Sequence, residues 1–139
     1  MIYLDASVLV PIVKFEERSD AIAAMLDRQS GLTTTDFALG EASSAVARLV
    51  RMDKVDAALG RAMLAQLDEW IASRIAVEEV RAADVRLATL FVRRFDAPLR
   101  MPDALHLAVC RRLGAALLTH DIGMTLAAAV HQIDCRIEG

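Results

Sequence analysis

Apolar residues recur along this chain in two rhythms. Short continuous runs lie at residues 2–4, 32–35, 75–77, 115–119 and, more weakly, 135–137, and their length suits buried strands. Between them apolar positions return every three or four residues, which predicts helices over about residues 19–29, 37–51, 56–72, 82–95, 102–113 and 124–129. The first run ends abruptly: Ile2, Tyr3 and Leu4 are followed by a carboxylate, Asp5, before Val8 and Leu9 resume the apolar pattern.

Strands that alternate with helices of this length call for crossover connections and hence a mostly parallel sheet of about five strands, covered by helices on both faces. The expected class is α/β. Sheets of this kind bind ligands beyond the carboxyl ends of their strands, and Asp5 stands at one such end. No repeat, low-complexity tract or Gly/Ser linker interrupts the pattern, so residues 1–139 are read as a single domain.

Composition narrows the class. The chain is 55% hydrophobic and only 4% aromatic, with many alanines, which suits closely packed helices. Sixteen Lys and Arg against nineteen Asp and Glu give a net charge of −3, so any nucleic-acid contact must come from a local patch. Lys14 and Lys54 are the only lysines; arginine, with its bidentate fork, supplies the rest of the positive charge. Two isolated cysteines, Cys110 and Cys135, support neither a disulfide framework nor a zinc knuckle. The apolar start lacks a basic leader and a cleavage site, and no apolar run of roughly 18 residues follows, so a cytoplasmic protein without membrane insertion is expected.

Four acids then draw attention together. Asp5 after the first strand is either the N-cap of the next helix or a ligand. Glu41 has Ala38 three residues before it and Ala45 four after, which turns it toward the apolar stripe. There it needs a cation or a hydrogen-bonding partner, unless it rotates to the edge and pairs with Arg48. Asp103 follows Pro102 in a first helical turn, where the helix dipole alone would favour it. Asp121 leaves the fourth strand, an ordinary place for a turn or cap. Jointly, two acids after strands and two in early helical turns belong at one carboxyl edge. Like charges gathered there call for a cation, and oxygen ligands suit Mg²⁺ or Mn²⁺ rather than Zn²⁺.

The stretches YLDASVLV, GEASSAVARLV, PDALHLAVC and LLTHD, in this order and spacing, resemble the acidic motifs of PIN-domain nucleases, and most closely those of VapC toxins. The likeness runs from the first strand to Asp121. It implies a PIN-like three-layer α/β/α fold and Mg²⁺- or Mn²⁺-dependent endoribonuclease activity within a toxin–antitoxin pair. By that resemblance Asp5, Glu41, Asp103 and Asp121 are the catalytic and metal-binding acids. Ser7 and Thr119 match supporting hydroxyl positions, with a simple cap or strand-end role as the alternative. Metal-activated water attacking a phosphodiester needs no side-chain nucleophile.

Other features allow plainer readings. His106 and His120 flank two of the acids, but oxygen-preferring cations and the lack of a third His or Cys ligand favour packing or a surface hydrogen bond. Arg81, Arg86, Arg93, Arg94 and Arg100 approach Asp103 along the chain. Arg93, Arg94 and Arg100 are candidate RNA contacts, against a solvated helix face as the alternative. Val46, Leu49, Val50, Leu59, Met63, Leu64 and Leu67 offer core, with any remainder available to a homodimer or to an amphipathic antitoxin helix. Two rival functions stay open: a catalytically silent PIN-fold binding module, and an aspartate-dependent phosphatase with Asp5 as nucleophile. The phosphatase is disfavoured because Ser7 stands where such enzymes place a second aspartate.

Overall fold

The computed structural model describes residues 1–13 and 17–137. In chain order the elements are β1 (Ile2–Leu4), α1 (Ala6–Val13), α2 (Glu17–Asp27), β2 (Leu32–Thr35), α3 (Asp36–Arg51), α4 (Ala57–Arg74), β3 (Ala76–Glu78), α5 (Ala82–Val92), α6 (Met101–Leu113), β4 (Ala116–Thr119), α7 (Ile122–Val130) and β5 (Cys135–Ile137). The strands form one sheet in the order β3-β2-β1-β4-β5, and every pairing is parallel.

Period-two alternation in the central strands divides the core into two. Ile2 and Leu4 of β1 and Leu118 of β4 face a cluster built on α1 to α4, with Val8, Leu9, Leu26, Ala42, Val46, Met63 and Leu67. Tyr3 and Leu117 face the opposite cluster, which gathers Ala88 and Phe91 of α5, Leu107 and Ala108 of α6, and Met124 and Ala128 of α7. Helices therefore cover both faces of a parallel sheet, giving three layers. The three buried threonines of β2 fit this apolar setting because their hydroxyls find partners. Thr33 donates to the Ala76 carbonyl at 3.0 Å and Thr34 to the Leu4 carbonyl at 2.7 Å, while Thr35 caps α3 by accepting from Ala38 N–H.

The sequence pattern omits α1. The segment ASVLVPIV is apolar almost all round and contains Pro11, so it shows no stripe of helical period; enclosure by the core makes it a helix nonetheless. In the other direction, α5 stops at Val92, earlier than expected. Arg93 closes it, and Phe95, 93% exposed, contributes nothing to the core that would continue the helix. Of the apolar surplus on α3 and α4, Val46, Met63 and Leu67 are buried and Leu49, Val50 and Leu64 partly so, leaving Leu59 exposed. Gly60 permits the close approach of these two helices, since a Cβ there would meet Val50 Cγ2 at 2.7 Å. Among the described residues no helix is long and apolar enough to cross a membrane.

At the far end of α7, His131 closes the helix and stacks on Phe91 with ring centroids 4.0 Å apart. A helix C-terminus favours a charged imidazole, but burial and then the nearby Arg94 and Arg111 push its pKa below the ordinary 6.5. The folded state thus favours neutral His131. Stability from this group is full above about pH 6.5 and drains as pH falls through that value toward the lower folded pKa. His131→Gln is expected to flatten this part of the acid limb in a series of melting curves between pH 7 and 5. An unchanged limb would assign the acid loss to other groups.

Candidate active site

β1 ends at Leu4 because its last pairing, with Leu118 of β4, hands the chain directly to α1. Asp5 is left at this junction with only 2% of its surface exposed. Its carboxylate is held on both sides: Ser7 Oγ donates to Oδ1 at 2.6 Å and Thr119 Oγ1 donates to Oδ2 at 2.6 Å. Val8 N–H also reaches Oδ1 at 3.3 Å, so Asp5 caps α1 while doing more than capping. The two hydroxyls are themselves fixed. Ser7 accepts from His120 N–H at 2.9 Å and Thr119 from Asp121 N–H at 3.0 Å. One network thus binds the ends of β1 and β4 and the start of α7, where Asp121 caps the helix through Met124 N–H at 3.0 Å.

A second network lies on the other side of β1. Glu41, in the second turn of α3, meets His106 of α6, with Oε2 and Nε2 2.6 Å apart. His106 Nδ1 stands 2.7 Å from Tyr3 Oη, which stands 2.9 Å from Thr35 Oγ1. Of the two plainer readings of His106, packing holds rather than a surface hydrogen bond: it is 2% exposed and boxed between the Tyr3 and Phe37 rings. Burial pushes the Tyr3 phenol pKa up, and the charges of Asp5 and Glu41 add to the effect. The phenol therefore keeps its proton. Nothing in the periodicity marks Tyr3 or Thr35 as part of a site. The one available signal is the three-residue spacing of Asp103 and His106, which places both on one face of α6.

Asp103 sits in the first turn of α6. Burial raises its pKa, with Asp121 adding to the rise, while Arg100, whose Nε lies 3.2 Å from Oδ2, opposes it. Asp103 thus feels both Asp121 and His106, which links the two networks electrostatically. The expected arginine cluster is divided. Arg100 pairs with Asp103, Arg93 is exposed at the end of α5, and Arg94 pairs with Asp96 at 2.7 Å. Arg94 lines a cavity of about 380 Å³ with Arg111 and His131. Arg111 lies about 12 Å along α6 from Asp103 at 1.5 Å per residue, so Arg94 faces away from the acids.

The PIN domain family matches residues 2–129, which spans the sheet from β1 through β4 and all seven helices except the last residue of α7. This chain belongs to the PIN domain family. No curated protein matches it in sequence. Among solved structures, this PIN domain is similar to VapC20 of Mycobacterium tuberculosis, a Sarcin-Ricin loop cleaving toxin, with a TM-score of 0.70 and 21% identity over 91% of this chain and 95% of that one. It is similar also to VapBC2 from Rickettsia felis bound to a DNA fragment from their promoter, with a TM-score of 0.74 and 14% identity, covering 100% of both chains. FitAcB from Neisseria gonorrhoeae gives a TM-score of 0.71 and 18% identity over 97% and 96%.

PIN nucleases generally use divalent metal ions. Among the described residues, no three His, Cys, Asp or Glu side chains converge closely enough to form a ready cation shell. The donor chemistry fits a hard cation all the same. The acids offer carboxylate oxygens, and the mutual repulsion of Asp103 and Asp121 is what a cation would relieve. Mg²⁺ keeps several of its waters and needs only one or two direct carboxylates, so it does not require a preformed cage.

Proposed function

We propose that this PIN domain is a Mg²⁺- or Mn²⁺-dependent endoribonuclease and the toxin of a toxin–antitoxin pair, with Asp5, Glu41, Asp103 and Asp121 as its acidic site. The observation that carries this reading is the setting of Asp5. A carboxylate is buried at the carboxyl end of the central strand and clamped by two hydroxyls that are themselves clamped. Such rigid support is what positions a metal ligand.

When bound, the cation would lower the pKa of water and neutralise charge developing on the phosphodiester. The protein's own residues prepare that chemistry. Asp5, kept in one orientation by Ser7 and Thr119, and Asp103 and Asp121, which share a field, would hold the cation; Glu41 would complete the edge from α3. Arg100, paired with Asp103 but 80% exposed in its side chain, is the candidate to meet RNA phosphates beside the acids, whereas Arg93 and Arg94 lie at the end of α5, where Arg94 is bound to Asp96, and have the weaker case. The structural neighbours include VapBC2 from Rickettsia felis and VapBC-1 from Haemophilus influenzae, and antitoxin pairing is carried to this chain by that likeness. Ile122, Leu126 and Val130 form an exposed apolar stripe at four-residue spacing on α7, a surface suited to a protein partner or to a homodimer contact.

Incubation of the purified, antitoxin-free protein with a panel of RNAs in Mg²⁺, Mn²⁺ or EDTA tests the reading; cleavage restricted to the metal-containing reactions is expected. Asp103→Asn adds a test by stability. Without metal the variant should melt no lower than wild type beyond a lost dipole contact of roughly 0.3–1 kcal/mol, because a repelling charge is removed. Mn²⁺ at a hundredfold excess over its dissociation constant should stabilise wild type by about 2.7 kcal/mol and Asp103→Asn by far less. Equal Mn²⁺ shifts in the two proteins would remove Asp103 from the ligand set.

A further inference from the structure

Glu41 lies on a helix separate from Asp5 and Asp103, and nothing on α3 itself fixes its carboxylate. The contact that does so comes from His106, and behind His106 stand Tyr3 and Thr35. We infer that Tyr3 and His106 are positioning residues for Glu41, forming a one-way donor relay that orients its carboxylate for the cation. This inference rests on the nuclease reading above.

The direction of the relay follows from counting protons. An ionised carboxylate only accepts, so in the relay His106 donates from Nε2 to Glu41 and offers Nδ1 as an acceptor. Nδ1 then accepts from the Tyr3 hydroxyl, whose single proton is used, so Thr35 Oγ–H must donate to Tyr3 Oη. The Thr35 oxygen in turn accepts from Ala38 N–H at 3.2 Å. Every donor from the start of α3 to Glu41 points the same way, and bonds aligned in this manner polarise one another.

The placement makes the relay functional rather than merely cohesive. Glu41 Oε2 is engaged by His106, which leaves Oε1 for a ligand, and Glu41 is only half-buried while every group behind it is buried. Tyr3 lies two residues before Asp5 on β1, and His106 three residues after Asp103 on α6. The relay therefore sets Glu41 on α3 relative to the strand and the helix that carry two of the other acids.

The test begins on the metal-free protein, where nitrogen-15 spectra of the imidazoles should show His106 as the Nε2–H tautomer with a slowly exchanging proton. A different tautomer, or a rapidly exchanging proton, would overturn the relay whatever the activity. Mn²⁺ affinity, read from thermal shifts, should fall about 10- to 100-fold in His106→Leu and recover largely in His106→Gln, whose amide still donates to Glu41. In a Glu41→Ala background neither change should alter Mn²⁺ affinity further, because the effect passes only through Glu41. Equal losses with and without Glu41 would make His106 a packing residue and overturn the proposal. If His106→Leu does not fold, Tyr3→Phe removes a single oxygen and should weaken Mn²⁺ binding in the same Glu41-dependent way. A wild-type protein with the expected imidazole proton that neither binds Mn²⁺ nor cleaves RNA would bring down the nuclease reading, and the positioning role with it.

Discussion

Asp5→Asn is expected to reduce RNA cleavage by more than about 100-fold, beyond the roughly 10- to 100-fold typical of groups that only support a metal ligand. The fold should survive. Asparagine keeps an oxygen for the Ser7 hydroxyl and for Val8 N–H, so the cap on α1 persists. Its NH₂ would face Thr119, whose oxygen already accepts from Asp121 N–H but has a second lone pair, and whose proton can turn to Ser7 Oγ 3.2 Å away. What is lost is the charge at the centre of the site. Cleavage rates measured beside a melting curve separate the outcomes: an active, folded Asp5→Asn protein would refute the catalytic assignment, and an unfolded one would make Asp5 primarily structural.

Arg112→Met is expected to produce the largest loss of stability, about 3 kcal/mol, and so to lower the melting temperature by around 10 °C for a domain of this size. Asp84 is 2% exposed and accepts from Arg112 Nε at 2.8 Å. Arg112 also donates to the Glu79 carbonyl at 3.1 Å, which ties the end of α6 to the link between β3 and α5. Methionine replaces most of the apolar stem but leaves a buried carboxylate with the Arg81 N–H, 2.9 Å away, and no countercharge. The pair's own worth is a separate matter, since well-packed apolar replacements of buried ion pairs are often neutral. Arg112→Met combined with Asp84→Leu should therefore recover most of the loss in chemical denaturation, and failure to recover would show that the fold depends on the Glu79 contact instead.

These residues illustrate how far the chain could be read in one dimension. The five strands and the ends at which Asp5 and Asp121 stand were legible, because the central strands β1 and β4 are short continuous apolar runs that a polar residue or carboxylate brings to an end. Glu41 was legible as a residue in need of a partner, since helical spacing turns it toward the apolar stripe, but the partner itself was not. His106 lies 65 positions away on another helix, and Asp84 and Arg112 are 28 apart. Helix α1 was not legible for a different reason: its partly buried positions Val10 and Pro11 are apolar like its buried ones, so no polar face marks its period.

By itself, then, the sequence determined the α/β class, the parallel sheet and the strand ends at which Asp5 and Asp121 stand, all of which follow from local periodicity and from where charge interrupts it. Tertiary structure alone decided which histidine holds Glu41 and which arginine meets Asp84, and it bound Ser7 and Thr119, matched by resemblance, to opposite oxygens of Asp5. Those pairings join side chains from elements far apart in the chain, and a hydrogen bond depends on distances of a few tenths of an ångström that no spacing rule encodes.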